Sequence, residues 1–210
     1  MNILHIDCSP RRESHSRKLS AEIVAKLLAA IPLAKVVRRD LGCEPIPHAG
    51  PAYAAVLATP ASLAAAAPSS DALQLSERLI REVEESGVIV IGTPMNNLTI
   101  PSVLKAWIDQ VLRVGRTMRS TPQGKVGMLR DRPVFVGIAS GGVFAGDHAR
   151  QPDFLTPYLS AALGGIGLAT VHYLRMQATA SIDEARAAEI RRALVETIEP
   201  PMPGPEGDAK

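Results

Sequence analysis

The sequence is poor in the residues that staple or metallate small proteins. Two cysteines in 210 residues, Cys8 and Cys43, are too few and too far apart for a C-x-x-C or zinc pattern, and two reduced thiols in a cytoplasmic protein are expected. The five histidines are scattered, so no metal site is expected from them. Charge of one sign is also lacking: 23 basic residues against 21 acidic ones leave a net +2 and no basic patch, which argues against nucleic acid as a partner. No segment approaches the roughly 20 apolar residues of a membrane span. The N-terminal apolar run, Ile3 to Ile6, holds a histidine and is soon followed by Arg11 and Arg12, unlike a signal peptide. Neither G-x-G-x-x-G nor G-x-x-x-x-G-K-[ST] occurs, so neither a Rossmann dinucleotide nor a P-loop nucleotide is supported. No internal repeat is present.

What is present is enough apolar residue, 46%, to bury the core of one α/β domain over 1–199. Its centre is the stretch SGVIVIGTPMNNLTIPSVLKAWIDQVLRVGRTM from Ser86 to Met118. Val88 to Ile91 is a β-branched run suited to a strand covered on both faces. Gly92 and Pro94 should stop it, Thr93 to Ile100 forms a polar loop, and Pro101 fits the first turn of a helix striped with Leu104, Trp107, Ile108, Val111 and Leu112. Trp107 on that stripe belongs to the core or to a subunit interface.

Before this centre, Asn2 to Ile6 reads as a strand, Cys8 to Ser16 as a polar, basic loop, and Leu19, Ile23 and Leu27 as a helix stripe. The loop delivers Ser14, His15 and Ser16 to a helix N-terminus, where unpaired N–H groups favour an anion and Arg11 and Arg12 add to the preference. Simple capping by the serines is the competing explanation, and His15 either touches the anion or faces solvent. Lys35 to Arg39 gives a second strand near an edge. Gly42 to Ser69, rich in alanine and proline, offers no reliable element: it is a lid, a subunit contact or a surface insertion.

A helix is expected from near Ser70, with Leu75, Leu79 and Val83 inside. After the central unit, Arg116 to Arg132 lacks periodicity and reads as a surface excursion. Val134 to Ile138 is the fourth strand, followed by the glycine-rich ASGGVFAG of Ala139 to Gly146. Phe154 to Leu163 marks a helix and Val171 to Met176 the fifth strand. Ser181 with Glu184 suggests a capping box for the last helix, and residues 200–210 read as a disordered tail.

Alternating strands and helices indicate a flavodoxin-like, doubly wound five-stranded parallel sheet of order 2-1-3-4-5 with helices on both faces. The loops after strands one, three and four then meet on one edge, where such sheets bind ligands.

Those loops carry a resemblance. DCSPRRESHSRKLS, VIVIGTPMNNLTIPSVLKAWID, IASGGV and DFLTPYLSAALGGIG together resemble the FMN-dependent NADH:quinone oxidoreductase and azoreductase family over nearly the whole domain. The resemblance implies an enzyme that binds FMN. Ser9, Ser14, His15 and Ser16 match its phosphate and ribityl loop; Pro94, Met95, Asn96, Asn97 and Leu98 lie in its flavin-ring segment; Ser140, Gly141, Gly142 and Val143 match its second ring loop. It further implies a homodimer and a ping-pong reaction in which NADH or NADPH reduces the flavin and a quinone or azo compound takes the electrons, with no protein nucleophile. Asn97 and the N–H groups of Gly141 and Gly142 are the candidate donors for charge on the reduced ring; a plain turn residue is the alternative for Asn97. An NADPH-dependent FMN reductase and a non-enzymatic flavodoxin-like carrier are the other readings.

Two departures stand out. The family's middle motif usually reads Met-Tyr-Asn-Phe, and here Asn96 and Leu98 replace both aromatics. Its last loop often reads Ser-Arg-Gly-Gly, and here Ala139 and Ser140 precede the glycines. An aromatic acceptor that would stack on the missing rings loses about 0.5 to 1.5 kcal/mol per ring pair.

Overall fold

The computed structural model describes residues 1–58 and 71–201. Five parallel strands form the main sheet: β1 (Asn2–Asp7), β2 (Lys35–Asp40), β3 (Ser86–Pro94), β6 (Val134–Ala139) and β7 (Val171–Met176), in the order β2-β1-β3-β6-β7. This is the predicted 2-1-3-4-5 order, because the two extra strands, β4 (Met118–Thr121) and β5 (Gly124–Gly127), form a separate two-stranded sheet. The described helices are α1 (His15–Ala30), α2 (Pro51–Ala58), α3 (Gln74–Glu85), α4 (Ser102–Val111), α5 (Thr156–Gly164) and α6 (Glu184–Glu196), and a single 3-10 turn, Asp71–Leu73, leads into α3.

Alternation along the strands builds two cores. Leu4, Ile6, Ile89 and Ile91 join Val134, Val136 and Ile138 on one face, under Leu79, Val83, Leu104, Trp107, Ile108 and Leu159. Ile3, Val88, Val90, Phe135 and Leu174 form the other, against Leu19, Ile23 and Leu27 of α1 and Ala187 of α6. Each large aliphatic or phenylalanine side chain among them, removed from water, contributes about 1.5 to 3 kcal/mol. Trp107 is fully buried in the first core, which settles its role within this chain. The edge strand β2 is the more exposed one, as its charges suggested.

Four expectations need correction. The strand β3 does not stop at Gly92 but continues to Pro94, because Gly92, Thr93 and Pro94 still pair with Gly137, Ile138 and Ala139 of β6. The segment read as having no element contains α2, whose Tyr53 is buried and donates its hydroxyl to the Asp109 carbonyl at 3.0 Å; the anchor is tertiary, so no local pattern announced it. The rest of that segment, 59–69, lies outside the described residues, as does 202–210 of the expected tail. Arg116 to Arg132 is not an irregular excursion but holds the antiparallel β4–β5 hairpin. Its strands are mostly exposed, with Met118 as the buried member, so no inside–outside alternation was available to read. Lastly, α6 is capped by Asp183, which accepts from the Arg186 N–H at 2.8 Å, and the Ser181–Glu184 box does not form.

Candidate active site

The loop after β1 is tied to the sheet before it turns. Cys8 donates its N–H to the Gly92 carbonyl at 2.9 Å, and Ser14 donates to the Arg11 carbonyl at 3.2 Å. Ser14 then caps α1, accepting from the Arg17 N–H at 3.4 Å, and its hydroxyl lies 3.4 Å from that of Ser16. Both serines are buried, and the N–H groups of the first turn have no acceptor within the helix. The helix reaches this close to β3 because residue 92 is glycine: a Cβ there would lie 2.5 Å from Ser20 Oγ and 2.8 Å from the Ser16 carbonyl. Ser9 serves the loop itself, its hydroxyl accepting from the Arg11 N–H and its carbonyl from Arg17 Nε at 2.8 Å. Cys8 is buried, and burial followed by the adjacent Asp7 carboxylate pushes its thiol strongly upward, which keeps it protonated and inert.

Beneath the loop sits an ionic cluster. Arg17 forks onto both oxygens of Asp40, and Asp7 accepts from Ser20 Oγ at 2.9 Å and Arg38 Nη2 at 3.0 Å. The Arg17 hydrogen bonds hold the Asp40 carboxyl down at about 2, against the opposing effect of burial.

The loop after β3 closes in a two-residue turn. Asn96 and Thr99 exchange backbone hydrogen bonds of 2.9 and 3.0 Å, with φ at +46° for Asn97 and +73° for Leu98. Asparagine tolerates this region; a leucine there costs about 1 to 2 kcal/mol. The neighbouring segment holds the strained turn in place, for Phe154 donates its N–H to the Leu98 carbonyl at 3.1 Å. Asn97 itself is exposed.

The loop after β6 is fastened from two sides. Ser140 Oγ accepts from the Gly142 N–H and from Gln151 Nε2, each at 3.3 Å, and the same Gln151 nitrogen lies 3.2 Å from Met95 Sδ. Gln177 Oε1 accepts from the N–H groups of Phe144 and Ala145 at 2.7 and 2.8 Å. The loop after β7 runs alongside, Thr179 donating to the Ser140 carbonyl at 3.0 Å.

Between these loops lies a cleft of about 370 Å³. Seven of the expected residues line it: Ser14, His15, Ser16, Pro94, Met95, Asn96 and Gly141. Arg11, Ala139, Thr179 and Ala180 complete the lining. Ser9, Ser140, Gly142 and Val143 are not part of the lining, and Asn97 and Leu98 sit in the turn beyond Asn96. Thr179 and Ala180 escaped the sequence reading, as did the clamp Gln151; the only local signal for the first two was a run of small polar residues leaving the last strand.

Chemically the lining has two parts. The α1 N-terminus, two hydroxyls, Arg11 and His15 suit a phosphate, while Pro94, Met95, Ala139, Gly141 and Ala180 offer small and apolar surface for a flat group. Among the described residues, no carboxylate and no thiol belongs to the lining. A phosphorylated planar cofactor such as FMN therefore fits the residues present.

A family model described as a flavodoxin-like fold matches residues 1–198. The FMN-dependent NADH:quinone oxidoreductase 4 of Pseudomonas fluorescens is 45% identical over 196 residues, covering 89% of this chain and 93% of that protein. A second such oxidoreductase, from Burkholderia lata, is 47% identical over 186 residues and 88% of each chain. Among solved structures, an azoreductase from Bacillus anthracis superposes with a TM-score of 0.79 at 25% identity, covering 93% of this chain and 95% of its own. The chain thus belongs to the flavodoxin-like family of the FMN-dependent NADH:quinone oxidoreductases.

Proposed function

We propose that the protein is an FMN-dependent oxidoreductase that takes a hydride from NADH or NADPH and reduces quinones or azo compounds in ping-pong order. The observation that carries this is the two-part cleft, with an anion-binding helix N-terminus beside small and apolar walls on the carboxyl edge of the sheet. Ser14, Ser16, His15, Arg11 and the first-turn N–H groups of α1 would hold the phosphate. Ser9 would act by shaping that loop. Pro94, Met95, Asn96 and Gly141 would face the ring system, with Leu98, Ser140, Gly142 and Val143 supporting them. When bound, FMN supplies the hydride and electron transfer that no side chain here provides.

Asn97 is our candidate for the amide that stabilises charge at the ring. Its positive φ makes Asn97→Gly the informative variant, because glycine keeps the turn and removes the amide. Flavin retention should be unchanged, and reduction by NADH in a stopped-flow half-reaction should slow on the order of tenfold, less than the loss of a buried donor. An unaltered rate would leave Asn97 as a turn residue alone.

The homodimer belongs to the same proposal. Phe154, 58% exposed next to the Asn97–Leu98 turn, is the apolar group a second subunit would cover. Among the described residues no helix is long and apolar enough to cross a membrane.

The test is an anaerobic absorption spectrum of the protein reconstituted with FMN. Bleaching of the bound flavin by NADH and its return on adding a benzoquinone are expected. Failure to bind FMN would overturn the assignment, and bleaching without reoxidation would remove the quinone.

A further inference from the structure

His15 is the first residue of α1 and lines the cleft, yet its Nδ1 is buried and has no hydrogen-bond partner among the described residues. A buried ring nitrogen left unpaired costs on the order of 1 to 3 kcal/mol, so its persistence at a ligand cleft points to a missing partner. The groups around it show what that partner is. The charges that act on the ring come from Arg11 in the loop, Lys18 on α1, and Glu184 and Arg191 on α6. The one carboxylate in this set is already engaged, for Glu184 accepts from Arg191 Nη2 at 2.9 Å and lies 3.1 Å from Lys18 Nζ. Arg11 makes no ion pair among the described residues. The surroundings of His15 are therefore cationic, with hydroxyls of Ser14 and Ser16 beside them and no acceptor for Nδ1.

We infer that His15 takes up a proton when the FMN phosphate enters the cleft, so that its side chain becomes a charged donor to the phosphate and cofactor retention strengthens in mild acid. This rests on the FMN reading above and adds a proton-linked contact to it. Without the anion, burial first, and then the charges of Arg191, Lys18 and Arg11, hold the imidazole below its ordinary value, with only Glu184 opposing. A phosphate dianion supplies the acceptor and reverses the sign of the local field. The folded, ligand-free protein then carries a neutral His15 at pH 7 and the complex a charged one. Binding consumes a proton, and proton uptake makes affinity rise as pH falls toward the free value. The phosphate opposes this trend, since a phosphomonoester loses its second charge near pH ~6. Comparison with a variant on the same ligand cancels that contribution.

The experiment is titration calorimetry of the full chain with FMN at pH 7 in buffers of different ionisation enthalpy, which counts protons directly, for wild type and His15→Asn. Wild type should take up as much as about one proton per FMN more than the variant. The ratio of variant to wild-type Kd should grow as pH falls from ~8.5 to ~6.5, toward a limit of about tenfold for each unit by which the complex raises the imidazole. Riboflavin, which lacks the phosphate, should show no difference between the two proteins. His15→Gln repeats the comparison should asparagine disturb the helix start. Equal proton uptake in both proteins would overturn the inference while leaving FMN binding intact. A difference persisting with riboflavin would move His15 away from the phosphate and overturn it too. Failure of wild type to bind FMN at any pH would instead remove the cofactor reading, and this inference with it.

Discussion

Replacing Ser14 and Ser16 together with alanine is expected to release FMN and leave the chain folded. Both hydroxyls line the cleft at the α1 N-terminus, and they lie 3.4 Å apart, close enough to serve one phosphate. A hydrogen bond to a charged group contributes about 1.5 to 3 kcal/mol, so losing two weakens binding at least about 100-fold. The structural cost is smaller. Ser14 caps the helix through a long bond of 3.4 Å to the Arg17 N–H, and losing a cap costs about 1 kcal/mol. Ser16 is fully buried, and alanine is the tolerated replacement there. Gel filtration after reconstitution should show the flavin separating from the variant, with an unchanged elution volume and circular dichroism. A flavin that stays bound would remove the phosphate from this loop. Simultaneous loss of flavin and fold would make the serines structural residues, as simple capping requires.

Much of the fold and of the lining of this cleft could be read before any coordinates, for definite physical reasons. Val88 to Ile91 announced a buried strand because each face of β3 has its own core. The Ser14–Ser16 loop announced itself because a helix start has few ways of satisfying its N–H groups. What escaped depends on contacts distant in sequence. Gln151 was invisible because its partner Met95 lies 56 residues away in the loop after β3, and Ser140 lies 11 residues back in its own irregular connection. Thr179 and Ala180 joined the cleft only through backbone bonds that run to Ser140 and Gly142 from beyond β7. Tyr53 holds α2 by reaching the Asp109 carbonyl, 56 residues away. Leu98 is the opposite case, a local conflict: nothing in its side chain favours φ +73°, and the turn is held from outside by Phe154. Such strain gathers where a backbone is shaped for a ligand.

Arg17→Met is expected to be the most destabilising of the single changes discussed. The side chain is buried, its Nε holds the Ser9 carbonyl at 2.8 Å, and its guanidinium spans Asp40 and the buried Asp7. Methionine fills similar volume but leaves Asp40 with only the Cys43 N–H at 3.0 Å and Arg38 at 3.5 Å. Breaking a buried pair from one side costs about 3 to 5 kcal/mol, and the lower end applies because Asp40 retains some exposure. For a chain of this size that is a fall in Tm of roughly 6 to 12 °C. The pH dependence separates charge from packing. In wild type the Asp40 carboxyl is held near 2 in the folded state, below its ordinary 3.8, so its contribution is complete above about pH 4 and disappears as pH falls through 2. Without Arg17 the carboxyl moves back up and that contribution is lost at every pH. Urea unfolding should therefore show a large gap between wild type and variant at pH 7 that narrows between pH ~4 and ~2. A gap of constant size would mean that Arg17 acts by packing alone, and the loop after β1 would owe its shape to the backbone rather than to this ionic cluster.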